Sequence, residues 1–238
     1  MNINTAYLSS LLGSSAASGS GSQATQGAGT LAAASAALSK TVTRLQADAA
    51  TTTAQLSSFG QLKSALASSQ TAAQALTRLS AASSAADVTQ ATGDFFNAFN
   101  AAVKVAKTTA AVPGSSQAAQ AAGRVTRDLD GALTGGVANQ NAMSKLGLSV
   151  QADGSLKQDA AKFAASLAKD PAGVTAALAQ LGQQVQAAAN KELASDGHVS
   201  TSVANLTQRS SALTQQQKAL LNLQQSTGLS VYQRASGS

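Results

Sequence analysis

The stretch SKLGLSVQADGSLKQDAAKFAASLAKDPAGVTAAL, residues 144–178, is the part of this sequence that decides its fold. Apolar residues alternate with polar or small ones from Leu146 to Val150, as in a strand with one buried face. Asp153-Gly154 is a turn sequence, and Leu156 begins a return strand. The stretch therefore predicts one β-hairpin, near residues 146–157.

Two helices with clear start signals follow the hairpin. Asp159 can accept a hydrogen bond at the start of the first helix, whose Phe163 and Leu167 lie on one face. Asp170-Pro171 combines a capping residue with proline at the first helical position, so it opens the second helix. We expect the hairpin to pack on the helix that directly follows it, because that helix offers the nearest bulky face.

Outside this stretch, alanine-rich helices predominate, with 3% aromatic residues in the whole chain. Every seventh residue from Leu31 to Ala73 is apolar or small, which predicts a helix over about residues 31–80. A second line, four residues after the first, includes Leu56 and is interrupted by Lys63 and Gln70. A thin hydrophobic core suits such helices when they pair lengthwise.

The C-terminal end repeats this seven-residue pattern from Val199 to Leu220, again with a second line that is half polar. Two weak seams can complete each other within one chain, or complete a seam on a neighbouring subunit. The fold class expected is mainly α: long terminal helices that form a coiled-coil-like leg, and a small helical domain with one β-hairpin. The predicted seam residues are Leu38, Leu45, Leu56, Phe59, Leu66, Val199, Val203, Leu206, Leu213 and Leu220.

Three segments are expected along the chain. Residues 1–29 are rich in Ser, Gly, Ala and Gln and read as a flexible leader without the features of a cleavable signal peptide. Residues 30–198 form the helical domain with the hairpin. Residues 199–238 form the C-terminal coiled-coil helix and tail, which pairs with residues 31–80.

Charge and motifs argue against several classes of function. The net charge of +6 is spread along the chain, without the basic stripe and stacking aromatics of a nucleic-acid binder. No cysteine is present, and no apolar run is long enough to span a membrane. Calcium-loop, P-loop and dinucleotide-binding patterns are also missing. We therefore predict no catalytic, cofactor-binding or metal-binding residues.

The single histidine requires separate consideration. His198 lies two residues after Asp196 and two before Ser200, so the three residue types of a catalytic triad are close in sequence. Asp, Gly and Ser are also the residues that a turn between two helices needs. We interpret the segment as such a turn.

The order of these elements resembles the C-terminal region of the bacterial flagellar filament cap protein, a flagellar hook-associated protein. That family has a Leu-Gly-Leu/Ile strand, an Asp-Gly turn, a Leu, an Asp-led helix and an Asp-Pro-x-x-Val helix in this order. Here they correspond to Leu146-Gly147-Leu148, Asp153-Gly154, Leu156, Asp159, and Asp170-Pro171 with Val174. Segments 57–76, 94–103 and 195–220 extend the resemblance to about two-thirds of the chain.

The chain departs from the family in two places. The family carries a few hundred residues of β-rich domains between its N-terminal helix and the returning helix, and this chain has only SAASSAADVTQ, residues 80–90, there. The family's N-terminal Gly-x-x-Ser-Gly-Leu-Asp signature is not evident either. The resemblance thus implies a shortened form that lacks the middle β domains.

The resemblance implies a non-enzymatic flagellar axial protein that supports filament assembly at the tip by oligomerising through its terminal helices. It also implies export without a cleavable signal peptide to the extracellular flagellum. The partners it implies are further copies of the chain, flagellin, hook-associated junction proteins and an export chaperone at the C-terminal helix. The alternatives are another junction or filament component, or an amphipathic surface-coating protein such as a phasin.

Overall fold

A computed structural model of the chain describes the backbone of residues 23–135 and 137–236, and the side chains of residues 36–135, 141–223 and 225. Helices predominate in this part of the chain, and one two-stranded antiparallel sheet accompanies them, which confirms the mainly α class with one hairpin. The elements in chain order are α1 (Gln23–Thr77), α2 (Ala85–Ala111), α3 (Ser116–Thr134), α4 (Val137–Lys145), β1 (Leu148–Val150), β2 (Leu156–Gln158), α5 (Ala160–Lys169), α6 (Pro171–Leu193) and α7 (His198–Ser236).

The first long helix starts earlier than predicted. α1 begins at Gln23 rather than near residue 31, so it includes residues 23–29 of the expected leader. The rest of that leader, residues 1–22, lies outside the described residues. The chain divides into two compact units, Met1–Arg44 and Leu45–Ser238. The contacts described below lie within the second unit, and the predicted domain boundaries stay predictions.

α3 is the central helix of the second unit, since it packs against α2, α4, α6 and α7. Its buried face is apolar and includes Val125, Leu129 and Leu133. The bulkiest core side chains come from α2, where Phe95 and Phe99 are fully buried and tilted against each other with ring centroids 5.9 Å apart. Phenylalanine buries a large area per side chain, so this pair is a strong anchor in an otherwise alanine-rich core.

Side-chain caps fix the helix starts that the sequence indicated. The Asp159 side chain accepts a hydrogen bond from the Lys162 amide at 3.0 Å, and the Asp170 side chain accepts one from the Gly173 amide at 2.9 Å. Pro171 occupies the first turn of α6, where its missing N–H costs no helical hydrogen bond. The predicted Asp caps are therefore confirmed.

The hairpin has the predicted turn but a shorter first strand. Val150 pairs with Leu156 and Leu148 with Gln158 across β1 and β2. Leu146 lies in a turn instead of the strand, because Gly147 adopts a φ of 71° there and interrupts the extended backbone. Gly154 at the hairpin turn has a φ of 74°, which suits glycine at that position.

The hairpin is held from two sides. Its base joins α5 through the Asp159 amide, which donates to the Gly147 carbonyl at 2.8 Å. Its outer edge faces α2: the Asn100 side chain donates to the Leu156 carbonyl at 2.9 Å and accepts from the Leu156 amide at 2.7 Å. The sequence pattern predicts only α5, the helix that follows, as a support for the hairpin. The sequence pattern did not indicate the contact with α2.

Candidate functional site

In α1 the first predicted seam line is buried, but the second buried line lies one residue before its predicted position. Within the second unit, the first line is buried at Leu45, Thr52, Phe59, Leu66 and Ala73. The second buried line follows three residues after the first, not four, and consists of Gln55, Leu62, Ser69 and Leu76.

The positions predicted for the second line of α1 are less buried. Leu56 is half-buried and packs against the core, and Lys63 is exposed. Lys63 does interrupt the predicted line, but the helix buries the neighbouring Leu62 in its place. Leu38, the remaining predicted seam residue of α1, belongs to the first unit and is half-buried.

The predicted seam of α7 faces inward along its leucine line. This line is buried at Val199, Leu206, Leu213 and Leu220, and Val203 is half-buried against the core. The next turn of α7 presents apolar side chains outward, with Leu221 55% and Leu223 43% exposed. Burial agrees with a seam at these positions, while their role in an oligomer stays a prediction.

One loop touches both terminal helices. A side chain placed at Gly114 would lie 2.7 Å from atoms of Thr51 and Gln55 in α1. The start of α3, directly after this loop, borders a groove whose other wall is α7 at Asn205, Leu206 and Arg209. α1 near residue 52 and α7 near residue 206 therefore approach the same loop.

A polar cluster forms where α6 ends and α7 begins. His198 Nδ1 lies 2.9 Å from Glu192 Oε1 and 3.1 Å from Oε2. Asp128 of α3 completes a group whose ligand-type atoms all lie within 4.8 Å of one another. Lys191 Nζ donates to Asp128 Oδ2 at 2.7 Å, and Arg124 Nη1 lies 3.4 Å from His198 Nε2.

The two carboxyl groups of this cluster have opposite pKa shifts. Burial is the main cause that raises the pKa of Glu192 above its ordinary 4.5; its side chain is 0% exposed, and the Asp128 carboxylate adds to the rise. Burial also acts to raise the pKa of Asp128, but hydrogen bonds from Lys191 and Glu192 outweigh it, and the result is a pKa below 3.8. Of the two carboxyls, Glu192 is therefore the one that binds a proton more readily.

The cluster was not predicted from the sequence: Glu192 and His198 are close in the chain, but Asp128 lies 64 residues before Glu192 and only the fold brings it near them. Two carboxyls and an imidazole are metal-ligand types, but Lys191 and Arg124 already supply positive charge on either side of them. The Ser200 hydroxyl donates to the Leu193 carbonyl at 3.0 Å, so it supports the turn. The geometry is that of a hydrogen-bonded junction between helices.

Within the described part of the chain, no helix is both long and apolar enough to cross a membrane. The fold and its polar junction define a class: a helical structural protein with long terminal helices and a β-hairpin that braces its core. A family model described as flagellar hook-associated protein 2 C-terminus matches residues 66–234. The chain belongs to this family, so it is a flagellar structural protein of the filament-cap type. Neither the curated proteins nor the solved structures gave a match.

Proposed function

We propose that this chain acts at the tip of the bacterial flagellar filament, where copies of it associate through their terminal helices and support filament assembly. The observation that carries the proposal is the family match over residues 66–234, which includes the hairpin, the capped helices and most of α7. We further infer that it has no catalytic role. Its polar cluster is engaged in joining helices.

The terminal helices supply a physical basis for association. The second line of α7 includes Ser210 and Gln217, which are polar and half-buried, so the helix does not bury a complete apolar line. The exposed Leu221 and Leu223 extend its apolar surface on the outer side. A neighbouring copy that covers these residues would remove further apolar area from water.

The partners follow from the same role. We propose flagellin and the hook-associated junction proteins as contacts in the assembled flagellum, and an export chaperone as a contact of the C-terminal helix before export. The location would be the extracellular flagellum, reached through the flagellar export apparatus. Since residues 80–90 replace the middle β domains of the resembling proteins, the chain would contribute the helical leg of a cap and no lid.

Localisation tests this proposal directly. We expect an epitope-tagged chain to be recovered in sheared flagella, with label at the filament tip by immunogold microscopy. Loss of the chain should reduce filament length or release more unassembled flagellin into the medium. A chain found only inside the cell, on storage granules for example, would contradict the proposal.

A matched pair of variants connects this role to the seam. Leu213→Ser alters a buried seam residue, and Ala212→Ser alters the exposed residue before it. We expect the first variant to reduce the mass of the purified assembly measured by light scattering, and the second to leave it unchanged. Equal masses for both variants and the parent protein would argue against association through this seam.

A further inference from the structure

The only glutamate and the only histidine of the chain meet at one junction. Glu192 lies in the last turn of α6 and is 0% exposed, and His198 is the first residue of α7. Asp128 of α3 stands within 4.8 Å of both groups. A buried carboxyl between an imidazole and a second carboxyl is stable only if each hydrogen bond has one donor and one acceptor.

The direction of each hydrogen bond can be assigned from the partners. An arginine side chain only donates, so His198 Nε2, 3.4 Å from Arg124, accepts and carries no hydrogen. The hydrogen of the neutral imidazole then resides on Nδ1, which donates to Glu192 at 2.9 Å. Two adjacent carboxyls can share a hydrogen bond only when one of them is protonated, and Lys191 already stabilises Asp128 as the anion.

We propose that Asp128, Glu192 and His198 form a proton-dependent latch that fixes the start of α7 against α3 and α6. The latch is closed when Glu192 carries a proton that it shares with Asp128 and accepts a hydrogen bond from His198 Nδ1. It weakens when Glu192 loses its proton, because its buried carboxylate then lies within 4.8 Å of the half-buried Asp128 carboxylate. This inference does not depend on the proposed function.

The backbone around the latch leaves it little freedom. A side chain at Gly197 would come within 2.4 Å of the carbonyl oxygens of Lys191 and Glu192, so the turn before α7 lies directly on the end of α6. The Thr201 amide donates to the Gly197 carbonyl at 2.9 Å and continues this turn into α7. Repulsion between the carboxylates would therefore act on the first turn of α7.

The charged groups around the latch all come from the three helices and the turn. α3 contributes Arg124 and Asp128, and α6 contributes Lys191 beside Glu192. Asp196 lies in the turn and is exposed, so water screens its charge. Lys191 contacts Asp128 at one end of the network, and Arg124 contacts His198 at the other. The proton on Glu192 supplies the hydrogen bond between them.

The sign of the pH dependence follows from the Glu192 carboxyl. Burial raises its pKa above 4.5 in the folded chain, so the folded state binds this proton more tightly than the unfolded state does. The stabilising contribution is fully present below about pH 4.5, and it is lost as the pH rises through the folded-state pKa. Raising the pH should therefore loosen the latch.

A single histidine makes the first test unambiguous. Nitrogen-15 NMR of the full chain labelled at histidine reports which ring nitrogen carries hydrogen, and only His198 contributes a signal. In the neutral ring we expect the hydrogen on Nδ1, which is the minor neutral form of free histidine. A neutral ring with its hydrogen on Nε2 would overturn the proposal.

A conservative variant tests the proton on Glu192. In Glu192→Gln the side-chain amide can still donate to Asp128 and its oxygen can still accept from His198, but it carries no titratable proton. As the pH rises above about 4.5, we expect the urea midpoint of the variant to increase relative to that of the parent chain. A difference between the two chains that does not change with pH would refute the latch.

Hydrogen exchange shows which part of the chain loosens as the pH rises. After correction for intrinsic rates, protection of the amides of residues 198–202 should fall with rising pH relative to the amides around Phe99 in the α2 core. The Glu192→Gln chain should keep that protection. Equal loss of protection in both chains would show that the pH acts elsewhere.

Discussion

Gly182 lies at a close approach between α6 and α1. A side-chain carbon placed there would lie 2.5 Å from the Ala73 carbonyl oxygen and 3.0 Å from Leu76 Cβ. Gln70 Nε2 donates to Asn190 Oδ1 two helical turns further along the same pair of helices. In a core poor in large side chains, helices gain dispersion contacts by approaching closely, and this glycine permits it.

We expect Gly182→Ala to destabilise the chain. Alanine gains about 1 kcal/mol of helix propensity over glycine, but the backbone contact cannot give way without moving a helix. Such overpacking costs about 1–3 kcal/mol, so the net loss should be up to about 2 kcal/mol. The free energy of unfolding, measured in urea by circular dichroism, is the readout.

Gly60 provides the matched control for that substitution. It lies in the interior of α1, is exposed, and has open space around the position of a new side chain. Gly60→Ala should stabilise the chain by about 0.5–1 kcal/mol through helix propensity alone. If both variants are stabilised, the close contact at Gly182 does not limit the free energy of unfolding.

The caps at Asp159 and Asp170 could be predicted because a cap depends on residues that are neighbours in sequence. Glu192 and His198 could not be assigned in the same way. Their environment depends on Asp128, which is 64 residues away from Glu192 and is brought close only by the packing of α3 on α6. The sequence showed the residue types and gave no measure of their distance.

The hairpin acts as a brace between α2 and α5. Leu148 and Leu156 point into the same core as Phe163 and Leu167. On the outer side, Asn100 forms two hydrogen bonds to the backbone of Leu156 and so takes the place of a neighbouring strand. A two-stranded hairpin is marginal alone in water, so these contacts account for its stability here.

Replacing Asn100 should therefore disturb the hairpin more than its half-exposed position indicates. Asn100→Ala leaves the N–H and the C=O of Leu156 without their partner, at a cost of about 2–3 kcal/mol. We expect a lower urea midpoint and faster hydrogen exchange at the amide of Leu156. The exposed Asn97, one turn earlier in α2, is the control, and Asn97→Ala should change stability by less than about 0.5 kcal/mol. An effect of equal size at the two positions would show that the brace does not depend on Asn100.

Alternation and turn residues predicted the hairpin, since both are local signals. The offset of the second buried line in α1 was less predictable. Leu62 and Leu56 are both apolar and both lie near the first line, so only the positions of the other helices decide that Leu62 is fully buried and Leu56 is not. Alanine at many positions adds to the ambiguity, because it fits an inner or an outer face equally well.

The terminal helices connect the packed core of the second unit to the surface proposed for association. α1 and α7 both contribute residues to one hydrophobic core, Phe59 and Leu66 from the first and Val199 and Leu206 from the second. Beyond the loop at Gly114, Leu45 on α1 and Leu213 and Leu220 on α7 remain buried. Counting in sevens from the core residues Phe59 and Leu206 reaches Thr52 and Leu45 on α1 and Leu213 and Leu220 on α7, so the two seams continue in opposite chain directions.

We predict that these two seams cover each other, with Leu45 opposite Leu220 and Thr52 opposite Leu213. The chain contains no cysteine, so a Leu45→Cys/Leu220→Cys double variant has a single pair of thiols. Mild oxidation should join them, because facing seam residues bring their Cβ atoms close enough for a disulfide. The exposed pair Gln46→Cys/Ala219→Cys is the control and should remain largely reduced.

Gel mobility then distinguishes the two arrangements that the sequence left open. A crosslink that leaves the chain at monomer size shows that α1 and α7 pair within one chain, whereas a dimer band shows that the seam is completed by a neighbouring subunit. Circular dichroism of the reduced variants confirms that the helices are formed. Oxidation that joins the control pair as readily as the seam pair, in chains of undiminished helicity, would contradict the pairing of the two seams, because the buried leucines would then give the helices no fixed register.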